Sequence, residues 1–162
     1  MTKLNFLLVL LLTIVNTMNL YSQHDGDLIG SHEAGILEDK EKYPWFEKAY
    51  NAYLPDTAVL SGLSKLINQE VKITVVAGTW CGDTRRELPK FIKIAKLSRF
   101  DEKKLDLIFV DTNKSSPGRP EKKLRVKSIP TFIVYKNGME KGRIVERPTT
   151  TLEKDLLNIL SQ

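Results

Sequence analysis

The chain has 162 residues and a net charge of +5 at pH 7, and this length suits one domain with its own hydrophobic core. Basic residues alternate with acidic ones, as in the EDKEK run at 38–42 and the DEKK run at 101–104. Such mixed runs indicate solvated surfaces and argue against a basic stripe that binds nucleic acid. Cys81 is the only cysteine of the chain, so no intramolecular disulfide can form.

The N-terminal residues have the pattern of a secretory signal peptide. Lys3 precedes a largely apolar run over 4–15, and the small residue Ser22 suits a cleavage site. The run is shorter than the about 20 apolar residues that a membrane-spanning helix needs. We therefore predict a signal peptide over residues 1–22, no stable membrane anchor, and export to a periplasmic or extracellular location.

The front part of the mature chain is predicted as a polar arm followed by a patterned domain. Residues 23–42 are polar and punctuated by glycine, whereas the domain is expected to span 43–162. Apolar residues recur at helical spacing over 44–54 and again over 60–68, which predicts two helices. The segment Val71–Ala77 (VKITVVA) is β-branched and apolar almost throughout, which is typical of a strand buried on both faces.

The middle of the domain continues the alternation of helix and strand. A helix is predicted over 84–98, and Pro89 should kink it because proline removes a backbone donor. An apolar strand follows over 105–111 (LDLIFVD). After a cluster of Ser, Pro and Gly, residues 121–126 have room only for a short helix.

The C-terminal part predicts a hairpin and a closing helix. Strands over 131–135 and 139–146 flank the Asn-Gly pair at 137–138, the strongest short hairpin signal. Thr150 and Glu153 have capping-box spacing before an amphipathic run of leucines. The order of elements predicts an α/β domain with a central mixed sheet, in which parallel strands and an antiparallel edge hairpin are flanked by helices.

Three segments of this domain resemble the thioredoxin family. Trp80-Cys81-Gly82 lies at a strand-to-helix turn, and Pro89 follows the cysteine by eight residues, as the kinking proline does in thioredoxins. The run VKSIPTFIVYKNG over 126–138 is similar to the cis-proline loop of that family almost residue by residue. The resemblance covers about residues 71–160 and implies a thioredoxin-like fold.

The resemblance also implies a site. Cys81 would be the attacking group, Thr84 would assist it, and a cis peptide bond before Pro130 would bring the proline loop against the sulfur. The residues expected to bind the substrate flank the cysteine or the proline: Trp80, Gly82, Asp83, Ile129 and Thr131.

Two departures from the family shape the functional hypothesis. Thioredoxins carry a second cysteine where Thr84 stands and a buried acid where Val75 stands, so dithiol oxidoreduction is excluded for this chain alone. The helix N-terminus, the Thr84 hydroxyl and the arginines at 85–86 favour a reactive thiolate at Cys81, although Asp83 opposes them. We predict a monothiol that attacks disulfides or sulfenic acids of proteins or small molecules and is released by an external thiol.

Three other interpretations remain open at this stage. Cys81 could be a buried small hydrophobe. The turn from Cys81 to Thr84 also resembles the Cys-Gly-x-Thr turn of glutathione peroxidases, which use a single attacking sulfur, although their other motifs are absent. Finally, the fold could be a redox-silent binding module that holds a peptide around Trp80 and Pro130. Thiol reactivity distinguishes chemistry from binding.

No metal or cofactor site is predicted. His24 and His32 lie in the polar arm without a cysteine at metal-ligand spacing, so both are expected to be surface residues. The sequence contains no Gly-rich phosphate loop and no Ser/His/Asp arrangement that stands out.

Overall fold

The computed structural model of the protein describes residues 26–67 and 70–162. The predicted signal peptide and His24 lie outside these residues. The elements in chain order are β1 (Gly30–His32), α1 (Pro44–Ala52), α2 (Thr57–Leu66), β2 (Val71–Ala77), α3 (Gly82–Leu97), β3 (Leu105–Phe109), α4 (Pro120–Lys123), β4 (Thr131–Lys136), β5 (Met139–Val145) and α5 (Leu152–Leu160).

The five strands form one mixed sheet in the order β1-β3-β2-β4-β5. Strands β2 and β3 are parallel, whereas the β1–β3, β2–β4 and β4–β5 pairs are antiparallel. Asn137 and Gly138 join β4 to β5 with φ angles of 55° and 75°, the backbone that a tight hairpin turn requires. The predicted α/β fold with a mixed sheet and an edge hairpin is confirmed.

The two faces of the sheet lead to different clusters. Successive side chains of a strand point to opposite faces, so Val75 joins the main core and Val76 joins a smaller cluster. The main core includes Phe91 of α3 and Phe132 of β4, whose ring centroids lie 5.0 Å apart. The smaller cluster contains Trp80 and Cys81 at its edge, so the predicted site lies over the face opposite α3.

Part of the segment predicted as a polar arm belongs to the sheet. Gly30–His32 pairs with β3, and Leu28 and Leu37 are 8% and 1% exposed. The strand forms because β3 would otherwise present unpaired backbone groups at the sheet edge. A Gly-Ser-His triplet has no apolar alternation, so sequence patterning could not indicate it.

The cap of α5 lies one residue later than predicted. Thr151 is the cap, and its Oγ1 accepts a hydrogen bond from the Lys154 amide at 3.4 Å. Thr150 binds Asp155 instead: its amide and hydroxyl donate to the Asp155 carboxylate at 3.2 and 2.7 Å. Glu153 therefore closes no capping box.

Glu153 instead joins α5 to the chain that follows α1. Its side chain is buried, and its carboxylate accepts hydrogen bonds from the Tyr53 hydroxyl at 2.6 Å and the Asp56 amide at 3.2 Å. Burial alone would raise the pKa of Glu153, but these hydrogen bonds outweigh it and hold the pKa below its usual value. Burial and the bond to Glu153 raise the pKa of Tyr53 well above its ordinary value.

This buried carboxylate predicts an acid-sensitive contribution to stability. Because the pKa of Glu153 is lower in the folded state, its contribution is present above the unfolded pKa of about 4.3 and is lost as the pH falls through the folded value. Glu153→Gln should lower the free energy of unfolding by about 1–3 kcal/mol at neutral pH and flatten its acid dependence. Denaturant titrations at neutral and acidic pH test this, with the exposed Glu41→Gln as control. Unchanged acid dependence in Glu153→Gln would contradict the assignment.

Candidate active site

Cys81 stands directly before the first residue of α3. Its backbone is extended (φ −80°, ψ 126°), its amide donates to the Gly78 carbonyl at 2.9 Å, and its carbonyl accepts from the Arg85 amide at 3.0 Å. The side chain is half-buried, so Cys81 is not a deeply buried core residue. Beside it lie the unpaired amides and the positive end of the helix dipole, which favour negative charge.

The proline loop packs against this sulfur. The Ile129–Pro130 peptide bond is cis, and the Cys81 thiol donates to the Ile129 carbonyl over 3.6 Å. Thr131 is 1% exposed, and its hydroxyl donates to the Ser128 carbonyl at 2.6 Å. Its side chain therefore braces the loop, and Ile129 is the loop residue that contacts the thiol.

Trp80 packs on the same small cluster as the cysteine. Its indole Nε1 donates to the Val110 carbonyl at 3.0 Å, and its half-buried ring packs on the smaller cluster. Gly78 makes this arrangement possible, because a Cβ there would lie 2.7 Å from Trp80 Nε1 and 2.9 Å from Ile129 Cδ1. Sequence reasoning identified Trp80 but missed Gly78, whose signal was its place directly after a buried strand.

Thr84 takes a structural role that differs from the expected one. The residue is fully buried, and its Oγ1 accepts a hydrogen bond from the Gly78 amide at 3.3 Å. The contact that the structure shows for this hydroxyl is therefore with the backbone before the motif, and not with the sulfur. Thr84 thus fixes the turn that carries Cys81.

The charged residues after Cys81 largely neutralise one another. Asp83 binds Arg86 at 2.6 Å and Arg147 at 3.3 Å, and Arg86 also binds the buried Glu87 at 2.7 Å. The hydrogen bond from Arg86 holds the pKa of Asp83 below its usual value. The positive charge that the sequence assigned to Arg86 is therefore shared with two carboxylates.

The Arg85 side chain also has partners within the protein, and it connects the site to α1. Its Nε donates to the Thr79 carbonyl at 2.6 Å, and its guanidinium carbon lies 5.9 Å from the Trp45 ring centroid. The Thr79 hydroxyl donates to the Asp27 carboxylate at 2.8 Å and accepts from the Leu28 amide at 3.2 Å. The N-terminal segment thus contacts the strand end that leads into the motif, a contact that no sequence signal indicated.

Metal ligands are not assembled in the described residues, which contain no group of three or more His, Cys, Asp or Glu side chains able to hold an ion. His32 Nε2 lies 3.1 Å from the Ile29 carbonyl, and its ring meets Phe109 edge-on.

Of the described helices, none combines the length and apolar character that a membrane crossing requires. A cavity of about 510 Å³ lies on the same sheet face as Trp80, but neither Cys81 nor Ile129 lines it.

Comparison with known proteins decides the family. A family model described as Thioredoxin matches residues 36–156, which is most of the chain. The chain belongs to the thioredoxin family. This thioredoxin-family match begins within the segment predicted as a polar arm, which agrees with the packing of Leu37 in the core.

Individual relatives share about a third or less of their aligned residues with this chain. The chain is 31% identical over 96 residues to the 16 kDa light chain of the flagellar outer-arm dynein of Chlamydomonas reinhardtii, covering 59% of this chain and 61% of that protein. It is 28% identical to putative thioredoxin-5 of Dictyostelium discoideum, covering 60% of this chain and 89% of that one. Oxidised thioredoxin O2 of Arabidopsis thaliana superposes with a TM-score of 0.41 and 22% identity, covering 63% and 83% of the two chains. The chain thus spans about three fifths of the dynein light chain.

The two positions at which the sequence departs from the thioredoxin pattern are both buried. The resemblance assigns Val75 to the position of the family's buried acid and Thr84 to the position of its second cysteine. Both side chains are 0% exposed. Neither side chain ionises at neutral pH, so neither can act as a proton acceptor or as a resolving thiol.

Proposed function

We propose that this thioredoxin-family protein is an exported monothiol oxidoreductase that exchanges thiols and disulfides through Cys81. One observation supports the proposal: Cys81 is half-buried with its sulfur beside the Ile129 carbonyl, while Thr84, which the resemblance assigns to the second-cysteine position, is fully buried. A substrate can reach the sulfur, but this chain offers no second thiol to attack the adduct.

The reaction consists of two exchange steps. The Cys81 thiolate attacks one sulfur of a substrate disulfide, so that a mixed disulfide forms and the other substrate sulfur leaves as a thiolate that takes up a proton. An external low-molecular-weight thiolate then attacks the mixed disulfide on the substrate sulfur and restores the Cys81 thiolate. A second external thiol completes the reduction. The two electrons therefore come from the external thiol, and the protein transfers them.

The residues around the sulfur have distinct parts in this reaction. A substrate chain that reaches the sulfur would lie against Ile129 and Pro130 on one side and Trp80 on the other. Gly82 has no side chain, and a Cβ added there would meet no atom within 4 Å. The space beside the motif at this residue is therefore open. Asp83 faces the same region with its charge held by two arginines. This arrangement admits an extended peptide segment without a deep pocket.

Export is the second element of the proposal, and it rests on the apolar run over 4–15. N-terminal sequencing of the secreted protein should begin near Gln23. Recovery of Met1 from a membrane fraction would show that the segment is an anchor.

A redox-silent binding module is the second candidate. The similarity to a dynein light chain favours it, because that protein is named as part of an assembly. In this case Trp80 and Ile129 would hold a partner peptide, and Cys81→Ser would leave binding intact.

The decisive measurement is turnover with and without an external monothiol. We expect the purified protein to release one equivalent of aromatic thiolate from an aromatic disulfide and then stop. Addition of glutathione should start turnover at a rate proportional to its concentration. Cys81→Ser should release nothing, and Ser128→Ala serves as a control for a substitution outside the reacting groups. Release of more than one equivalent of aromatic thiolate per chain without added monothiol would refute the monothiol mechanism, and no release from the natural chain would favour the binding module.

A further inference from the structure

A strongly basic loop lies next to Cys81. Residues 114–127, here named the basic loop, carry six cationic side chains that are all exposed: Lys114, Arg119, Lys122, Lys123, Arg125 and Lys127. The single acid of the loop, Glu121, is 4% exposed and accepts a hydrogen bond from the Ser116 hydroxyl at 2.7 Å. The exposed charges of the loop are therefore all positive.

The cations of the basic loop differ from several cations elsewhere on the molecule, which are paired with carboxylates. Within the described residues, Lys40, Lys72, Arg86 and Arg143 each bind a carboxylate at 2.6–2.7 Å. None of the six cations of the basic loop forms an ion pair with any residue that the structure describes. Two carboxylates near the loop are already bound by other cations: Glu140 of β5 by Arg143 and Asp106 of β3 by Lys72, both at 2.7 Å. Glu70 lines the same cavity as Lys123. Within the described residues, the loop cations are thus not held in ion pairs.

The loop is also part of the wall of the candidate site. Leu124 and Val126 pack on the same small cluster as Trp80 and Cys81, and Lys127 is followed by Ser128 and Ile129 in the sequence. The Lys114 ammonium donates to the Lys127 carbonyl at 3.2 Å, which ties the two ends of the loop together. A peptide that runs past Ile129 toward the loop meets these cations.

We propose that the basic loop selects substrates in which an acidic segment flanks the reacting sulfur. The proposal rests on the monothiol function, and it adds the class of substrate: a protein or peptide with several Asp or Glu residues next to its disulfide. Complementary charge raises the rate of encounter more than it raises final affinity, and salt screens it. The loop therefore acts in the bimolecular attack on the substrate and not in release by a small thiol.

The test compares three peptides of equal length whose single cysteine carries an aromatic thiol in a mixed disulfide. One has acidic flanks, one has the corresponding amides, and one has lysines. Attack of the Cys81 thiolate on the peptide sulfur releases the aromatic thiolate, whose absorbance gives the rate. We expect the acidic peptide to react about ten-fold faster than the amide peptide at low salt, and this advantage to disappear at about 1 M salt.

Two matched triple variants assign the effect. Lys122→Gln, Lys123→Gln and Lys127→Gln remove half of the loop charges, and Lys48→Gln, Lys65→Gln and Lys154→Gln remove three exposed lysines from α1, α2 and α5. The loop variant should lose most of the preference for the acidic peptide while its rate with the amide peptide stays within about two-fold. The control variant should keep the preference. Equal loss in both variants would overturn the proposal, because the net charge and not the loop would then be responsible.

A second measurement separates this proposal from the monothiol function. Cys81→Ser should still bind a sulfur-free acidic peptide, with a salt dependence that the loop variant lacks. Binding without any thiol release by the natural chain would leave the loop assignment intact and refute only the monothiol function. Equal rates for all three peptides would refute the loop assignment and leave the monothiol function intact. Tighter binding of a single-stranded oligonucleotide, or of vesicles with anionic headgroups, than of the acidic peptide would also overturn the proposal.

Discussion

Thr84→Cys is expected to form a disulfide with Cys81 and to give the chain a dithiol reductase activity that its natural sequence lacks. Residues 81 and 84 stand at the cap and in the first turn of α3, where side chains at i and i+3 lie on one face and close enough for a disulfide. A resolving thiol on the same turn has a high effective concentration. With dithiothreitol as the electron donor and no monothiol present, we therefore expect turnover at least about ten-fold faster than that of the natural chain.

The gain should have a cost in stability. The Gly78 amide loses its oxygen acceptor on Thr84, and a thiol is a weaker acceptor. The reduced variant should therefore be less stable by about 1–3 kcal/mol. The activity should also be partial, since Val75 supplies no proton acceptor.

Insulin reduction and intact-protein mass measure these effects. Thr84→Ser is the matched control, because it keeps a hydroxyl at this position without a thiol and should behave as the natural chain does. The double variant Thr84→Cys/Cys81→Ser should be inactive. Failure of Thr84→Cys to form the disulfide would contradict the placement of the two side chains on one turn.

Gly78→Ala should disrupt the site and destabilise the fold together. The added Cβ would lie 2.7 Å from the indole nitrogen of Trp80 and 2.9 Å from Ile129 Cδ1, so both side chains must move. That movement breaks the 3.0 Å bond from Trp80 to the Val110 carbonyl. We expect a loss of about 1–3 kcal/mol in the free energy of unfolding and a rate of thiol exchange at least about ten-fold lower.

Gly82→Ala is the matched control for stability. A Cβ at Gly82 meets nothing within 4 Å, and alanine is favoured over glycine in a helix by roughly 0.5–1 kcal/mol. This variant should therefore be as stable as the natural chain or slightly more stable. Denaturant titration of both variants measures the difference. If both glycine substitutions have the same effect on stability, the close approach of Trp80 and Ile129 to Gly78 does not determine which residue can stand at position 78.

Regular elements with strong local signals were predictable. The strand Val71–Ala77 has the predicted limits because its β-branched and apolar residues favour a strand, and the hairpin turn follows from Asn137-Gly138. The edge strand β1 was missed, since its pairing depends on the free edge of β3 and not on its own residues. The cap of α5 moved by one residue because Thr150 and Thr151 can both cap, and Asp155 binds Thr150.

Those parts of the candidate site that belong to a sequence motif could be predicted. Those parts that depend on contacts between distant segments of the chain could not. The approach of Ile129 to Cys81 followed from the resemblance of two short segments. In contrast, the contact between Asp27 and Thr79 joins residues 52 positions apart, and no periodicity encodes it. The roles of Arg85 and Arg86 changed for the same reason, because acceptors elsewhere in the fold determine where a long cationic side chain lies.

The short edge strand has a consequence for hydrogen exchange. β1 contributes only three residues to the sheet, and edge segments with few contacts open at lower free energy than the global unfolding reaction. The Asp27 carboxylate and Leu28 amide precede this strand and bind the Thr79 hydroxyl. We therefore expect opening of the edge to loosen the Thr79 contacts as well, which would couple exchange of the β3 amides that face β1 to the reactivity of the thiol.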